Sequence, residues 1–131
     1  MRLPTAAAVA ALRRTDEDIE RLKAVLAEAE PAIQALDHEG AMAADLEFHL
    51  SLARISRNPV LVALLEALSR PTLRMRLWQS IHLGGRIAIT HQEHLAILNA
   101  VVAGDPRGAH AAMQTHLAQV AVVLRDTPDS R

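Results

Sequence analysis

The chain has 131 residues, of which 50% are hydrophobic, and it carries a formal net charge of −1 and no cysteine. A chain of this length and composition can bury the core of a single domain. The near-neutral charge excludes the strongly basic surface of a nucleic-acid-binding module, and the lack of cysteine excludes disulfides, thiolate catalysis and cysteine-type zinc sites.

The sequence contains no apolar run of membrane-spanning length. At the N-terminus, charged residues follow the alanine run, which is not the order of a signal peptide. We therefore expect a cytoplasmic protein that has no membrane partner.

Helix is the only regular structure that the residue pattern supports. Alanine and leucine are abundant, glycine and proline are few, and the aromatic residues are limited to Phe48 and Trp78. We predict an all-α fold, an antiparallel bundle of about six helices. The first covers residues 5–14, the second runs from a cap at Thr15 to residue 36, and the third covers residues 41–56 after a turn at residues 37–40.

The fourth predicted helix begins at Asn58 and Pro59, a capping residue followed by a proline at the first helical position. Its apolar residues keep the helical period to about residue 81, although Pro71 should introduce a kink. Residues 82–85 end this helix, and residues 127–131 form a frayed tail at the end of the chain. The residues that we predict in the core are Leu64, Leu68, Leu98, Val101, Met113 and Val120.

The last two predicted helices carry histidines on their apolar stripes. One stripe consists of Ile87, His91, His94, Leu98 and Val101, and the other of Ala109, Met113, His116, Val120 and Val123. Between them, Gly104, Asp105 and Pro106 are typical of a helix end that is followed at once by a new helix start. Both stripes should therefore face one core.

Asp45 and His49 are four residues apart, so they are neighbours on one face of the third predicted helix. A carboxylate and three imidazoles on core-directed faces are costly to bury without partners, whereas one divalent cation satisfies all of them. We therefore predict one metal site with the ligands Asp45, His49, His94 and His116. His91 lies on nearly the same face as His94, and we assign it a structural role with a hydrogen-bond partner.

Several segments resemble the FCD domain, the effector-binding domain at the C-terminus of FadR-type GntR transcriptional regulators. They are AALRRTDEDIERL at 10–22, DLEFH at 45–49 with SRNPVL at 56–61, EHxxIxxA at 93–100 with GD at 104–105, and AxxxM at 109–113 with HL at 116–117. The resemblance covers nearly the whole chain. In metal-binding members of that family one aspartate and three histidines hold a divalent cation, and by motif position these are the four residues named above.

The resemblance implies a single FCD-like domain over residues 1–131, without the winged helix-turn-helix that precedes it in the family. DNA is then a partner only through a domain outside this chain. An arginine that the family commonly places ahead of Pro4, toward the effector, falls before Met1. The resemblance further implies a homodimer and a small carboxylate effector.

We therefore expect an effector-sensing domain, not an enzyme, that binds a divalent metal (zinc, nickel or manganese) and a small organic acid. Arg74, at i,i+4 from Trp78, and Asn58 are the candidate residues for contact with the bound group beyond the metal ligands. Glu47 and Glu93 neighbour the ligands in sequence, and we expect both to be solvated. Two alternatives remain open: a metal-dependent hydrolase-like enzyme, and a structural dimerisation bundle with a vestigial site.

Overall fold

The fold is built from α-helices. A computed structural model describes residues 2–67, 78 and 86–126, with side chains of the last helix described up to residue 121. In these ranges there are six helices and no strand: α1 Leu3–Arg13, α2 Asp16–Gln34, α3 His38–Ile55, α4 Pro59–Ala67, α5 Ile87–Val102 and α6 Pro106–Asp126. The predicted all-α fold is confirmed.

The starts of α2 and α4 follow from the capping residues in the sequence. The Thr15 hydroxyl accepts a hydrogen bond from the backbone N–H of Asp18, and the Asp18 carboxylate accepts one from the N–H of Thr15. This reciprocal pair is a capping box, which satisfies two N–H groups at the helix start. At α4, Asn58 Oδ1 accepts a hydrogen bond from the N–H of Leu61 at 3.1 Å, so the predicted cap is confirmed.

The predicted break between α5 and α6 is also confirmed. Gly104 has φ of +67°, in the left-handed region that glycine adopts without steric cost. Asp105 Oδ1 accepts a hydrogen bond from the N–H of Gly108 at 2.9 Å, and Pro106 is the first residue of α6. The end of α5 is held by Arg14, whose Nε donates to the carbonyl of Val101 at 2.9 Å.

The turn predicted at residues 37–40 is instead the start of α3, so that boundary was wrong. Asp37 is the N-cap, and its side chain accepts a hydrogen bond from the N–H of Gly40 at 3.0 Å. The cap allows Gly40 to lie in the first helical turn instead of ending a loop. The change of chain direction occurs earlier, at Leu36, which has φ of +56°.

The main core lies between α1, α2, α3, α5 and α6. Its largest fully buried side chains are Phe48, Leu22, Leu52, Ile97, Met113 and Val101. The small side chains of Ala7, Ala10 and Ala11 are fully buried on α1, which packs closely against α6. Every residue of the histidine-bearing stripe predicted for α5 is buried. This core surrounds the histidines and gives them fixed positions.

Three predicted core residues, Leu98, Val101 and Met113, are buried as expected. Leu64 is 60% exposed, so its assignment to the core was wrong. The reason is that α4 buries only one side, through Leu61 and Leu65.

Of the other predicted core residues, Val120 is partly buried and Leu68 lies outside the described residues. The predicted extension of α4 to residue 81, the kink at Pro71, the helix end at 82–85 and the tail at 127–131 also lie outside them. None of the helices in the described ranges is both long and apolar enough to cross a lipid bilayer.

Candidate metal centre

Three helices bring the four predicted ligands together. Asp45 and His49 lie on α3, His94 lies on α5 and His116 lies on α6. We call these four residues the histidine–aspartate cluster. Ring nitrogens of its three histidines lie within 4.8 Å of one another. Two nitrogens on one tetrahedral zinc ion are about 3.4 Å apart, so bonding distances require side-chain shifts of about 1 Å.

The carboxylate of Asp45 lies against two of the histidines. Its Oδ1 is 3.2 Å from His94 Nε2 and 3.9 Å from His49 Nε2. The Asp45 side chain is 30% exposed, whereas those of His49 and His94 are 11% and 4% exposed. Asp45 is therefore the member of the cluster that solvent reaches most easily.

Aromatic packing fixes the histidine rings. The centroid of the His94 ring lies 4.7 Å from that of His116 and 5.0 Å from that of His49, both in edge-on geometry. The rings of His49 and His116 are stacked at 5.5 Å. Phe48, which is fully buried, packs against His94 and His49 at 4.8 and 5.5 Å. Ring packing thus orients the three imidazoles toward one another.

Burial sets the charge of the cluster. Burial lowers the pKa of His49 to about 4. Burial and, second, the nearby His49 lower the pKa of His116, although the hydrogen bond that His116 donates to Glu93 acts in the opposite direction. Both imidazoles are therefore neutral at pH 7, the form that donates a lone pair to a metal. Burial also raises the pKa of Asp45 to about 6, against the attraction of His116, so this carboxyl is mostly ionised at pH 7.

The donor set fits a divalent cation. One buried ring nitrogen, His49 Nδ1, has no hydrogen-bond partner within the described ranges. Buried polar atoms of this kind are rare, and each costs free energy unless a partner is supplied. Neutral imidazoles with one carboxylate are ligands that zinc, nickel and manganese accept.

Glu93 is a residue of the site that the sequence analysis missed. It was expected to be solvated, but its side chain is only 16% exposed. Its Oε1 lies 3.0 Å from His116 Nδ1, and both of its oxygens accept hydrogen bonds from Arg86 Nη2, at 2.9 and 3.2 Å. The available signal was the spacing of Arg86 and Glu93, because residues seven apart lie on the same side of a helix.

Other predicted roles have different outcomes. Glu47 is 45% exposed and pairs with Arg54 at 3.2 Å, so its expected solvation is confirmed. His91 is buried and its Nε2 lies 3.4 Å from Glu30 Oε1, so the expected hydrogen-bond partner is present, and the structural role stays a prediction. Asn58 caps α4, and a binding role for it stays a prediction. Arg74 lies outside the described residues, so its proposed contact also stays a prediction.

A small cavity of about 20 Å³ adjoins the cluster at Asp45 and His94. Trp78, Ile87 and Thr90 form part of its wall. The Thr90 hydroxyl is buried without a hydrogen-bond partner among the residues that the structure describes. The cavity therefore combines a mostly apolar wall with the Thr90 hydroxyl and the His91 ring, next to two candidate metal ligands.

Comparison with known families decides the assignment. The family model described as the FCD domain matches residues 4–119, nearly the whole chain. The chain belongs to the FCD domain family. The resemblance noted from the sequence is therefore confirmed, and this FCD domain is of the kind found in GntR-family transcriptional regulators.

Among its curated relatives is the HTH-type transcriptional regulator LutR of Bacillus subtilis strain 168, which is 39% identical over 122 residues, 90% of this chain and 55% of LutR. The HTH-type transcriptional repressor NanR of Escherichia coli K12 is 36% identical over 118 residues, 85% of this chain and 42% of NanR. The FCD domain thus spans about half the length of these relatives. They are named as regulators and not as enzymes, in agreement with the expectation for this chain.

Solved structures of similar fold include Streptococcus agalactiae GntR, with a TM-score of 0.70 and 32% identity, covering 89% of this chain and 51% of that one. Escherichia coli McbR/YncC has a TM-score of 0.76 at 22% identity, covering 94% of this chain and 58% of that one. At that identity the second similarity shows the fold alone.

Proposed function

We propose that this FCD domain senses a small organic acid through a divalent metal ion held by the histidine–aspartate cluster. The observation that carries the proposal is the convergence of His49, His94 and His116, from three separate helices, in a buried place where each offers a ring nitrogen. Three imidazoles brought together in an apolar core are costly unless they have a common partner. A divalent cation is the partner that their chemistry fits.

Each member of the cluster has a separate part in holding the metal. His49 and His116 are kept neutral by burial, so they donate lone pairs without first losing a proton. Asp45 supplies the one negative charge and lies against His94 and His49. When bound, the metal keeps a net positive charge and open coordination positions, which favour an anionic donor.

In this proposal the acid binds at the cavity beside Asp45 and His94. Its volume of about 20 Å³ has room for one water-sized group. Even the smallest carboxylate has more atoms than this, so acid binding requires the bulky side chains in the wall, Trp78 and Ile87, to move. The apolar wall disfavours a polyphosphate, which needs a denser basic lining, and the Thr90 hydroxyl is available to one oxygen of the acid.

We further propose that the domain acts in a longer regulator, as a homodimer in the cytoplasm, and that acid binding controls DNA binding by a winged helix-turn-helix domain of the same protein. The support is that the relatives LutR and NanR carry helix-turn-helix in their names and are about twice as long as the matched region. The domain itself has a formal net charge of −1, unlike the net positive charge of a DNA-binding module.

The test combines metal analysis with calorimetry. Purified protein is analysed for bound metal, and mono- and dicarboxylates are titrated into metal-loaded and metal-stripped samples. We expect one metal per chain and acid binding that is lost on stripping and in His94→Ala. His91→Ala is the matched control for metal content, because it removes a buried histidine of the same helix that pairs with Glu30 and not with the cluster. It is not a control for the acid titration, because His91 also lines the cavity. Acid binding that survives stripping, or metal loss in His91→Ala but not in His94→Ala, overturns the proposal.

The same samples separate the sensor from a purely structural bundle. A chelator should lower the thermal stability of the sensor, because a ligand that binds only the folded state stabilises it. A structural bundle with a vestigial site does not respond to the chelator.

A further inference from the structure

Glu93 lies next to a metal ligand in sequence and against a different metal ligand in space. It follows α5 residue Gln92 and precedes His94, but its carboxylate contacts His116 of α6. We propose that Glu93 is a positioning residue for His116, and that Arg86 holds Glu93 in place for this purpose. The inference rests on the proposed metal-binding function of the cluster.

The hydrogen bond between Glu93 and His116 selects one form of the imidazole. An ionised carboxylate only accepts hydrogen bonds, so the His116 Nδ1 that lies 3.0 Å from it must carry the ring proton. In a neutral imidazole the other nitrogen, Nε2, then carries the lone pair. Packing against His49 and His94 orients the ring, and Glu93 selects its tautomer, which leaves the lone pair on Nε2.

Arg86 makes this arrangement possible in a buried place. The side chains of Arg86, Glu93 and His116 are 13%, 16% and 4% exposed, so water supplies little of their hydrogen bonding. A carboxylate buried to this extent is unfavourable without a counter-charge. Arg86 supplies it through Nη2, which donates to both oxygens of Glu93 at 2.9 and 3.2 Å.

The chain also contains a matched pair that lacks the contact with a ligand. Glu47 and Arg54 on α3 are likewise seven residues apart and pair at 3.2 Å, but they are 45% and 47% exposed. Glu47 is two residues from the proposed ligand His49 in sequence. Its carboxylate contacts Ser51 and Arg54 and no member of the histidine–aspartate cluster. Substitutions at Glu47 therefore repeat the change of charge without disturbing a metal ligand.

The experiment measures Zn²⁺ affinity of the full chain by competition with a chelating dye, for Glu93→Ala, Glu93→Gln, Arg86→Gln, Glu47→Ala and Glu47→Gln. Loss of the outer partner of a metal-binding histidine typically weakens metal affinity about 10–100-fold. We expect Glu93→Ala to fall in that range and Glu93→Gln, which keeps an acceptor oxygen without the charge, to lose less. Both Glu47 variants should stay within about twofold of the native affinity, because exposed pairs contribute little. If Glu93→Ala does not fold, Glu93→Gln and Arg86→Gln carry the comparison.

A second measurement reads the tautomer of His116 directly, in metal-free protein, from nitrogen-15 spectra of the imidazole at one fixed neutral pH. We expect the proton on Nδ1 in the native chain and in Glu47→Gln, and a shift toward Nε2 in Glu93→Ala that is smaller in Glu93→Gln, because Gln keeps an acceptor oxygen. This result does not depend on metal binding, so a native chain that fails to bind Zn²⁺ refutes the proposed function while the spectra still decide the role of Glu93. An unchanged tautomer in the Glu93 variants, or equal losses of Zn²⁺ affinity at Glu93 and Glu47, overturns the inference.

Discussion

Protonation of Asp45 should set the pH at which the cluster begins to lose its metal. Burial raises the pKa of this carboxyl from 3.8 to about 6, while it lowers the pKa of His49 to about 4. A metal ligand must be deprotonated, so a proton on Asp45 competes with the metal. The proton is bound in the free protein and absent from the metal complex, so the dissociation constant rises as the pH falls through about 6.

The size of the effect follows from the same pKa. Below about pH 6 each pH unit adds about 1.4 kcal/mol to the cost of ionising Asp45, which is a tenfold loss of affinity. Affinity at pH 5 should therefore be about tenfold weaker than at pH 7 through Asp45 alone. His49 adds to this loss only when the pH approaches about 4, because burial keeps it neutral above that value.

The assay is Zn²⁺ competition between about pH 5 and pH 7.5 for the native chain and for Asp45→Asn, which cannot take up the competing proton. Asp45→Asn should bind more weakly at neutral pH, because it lacks a ligand, and its affinity should fall less steeply below about pH 6. His91→Ala serves as the control and should keep the native profile. A fall of the same steepness in Asp45→Asn would show that another ligand takes up the competing proton and would refute the reasoning.

Three further predictions concern stability and ligand binding. Leu98→Ala should lower the free energy of unfolding by about 2–5 kcal/mol, measured in urea with chelator present, because Leu98 is 5% exposed. Leu64→Ala should change it by about 0.5 kcal/mol or less, because Leu64 is 60% exposed. Similar losses at both positions would contradict the burial described above. Asn58→Ala should cost about 1 kcal/mol through loss of the α4 cap and leave Zn²⁺ and acid affinity unchanged, and a clear drop in acid affinity would instead support the binding role. Trp78 is the single tryptophan of the chain and lines the cavity. A short carboxylate should therefore change the tryptophan fluorescence of the Zn²⁺-loaded protein but not that of His94→Ala. An equal change in both proteins would place the acid away from the metal.

The sequence was sufficient for features that depend on one helix at a time. The caps at Thr15 and Asn58 and the break at Gly104 follow from local chemistry, and the inward position of His94 follows from the helical period. These features are fixed by the residues within a few turns of each position.

Features that depend on which helix covers which face were not predictable in this way. Leu64 has the period of a core residue, but the exposed side of α4 has no helix over it among the described residues. Glu93 has the position of a surface residue beside His94, but α6 packs there and places His116 against it. In both cases the residue pattern of one helix does not show which other helix packs against it, and that packing determines whether the side chain is buried.

The spread of the histidine–aspartate cluster along the chain has a mechanical consequence. Asp45 on α3 and His116 on α6 are 71 residues apart in sequence, and His94 lies between them in sequence, on α5. A cation bound there is a reversible cross-link that closes long loops of a chain without cysteine, and it acts as a clamp between α3, α5 and α6. At a free metal concentration of 100 times the dissociation constant, such a clamp adds about 2.7 kcal/mol to the free energy of unfolding. If the cluster binds a metal as proposed, metal supply would set how tightly α6 is held to the bundle, and with it the rate at which proteases cleave that helix.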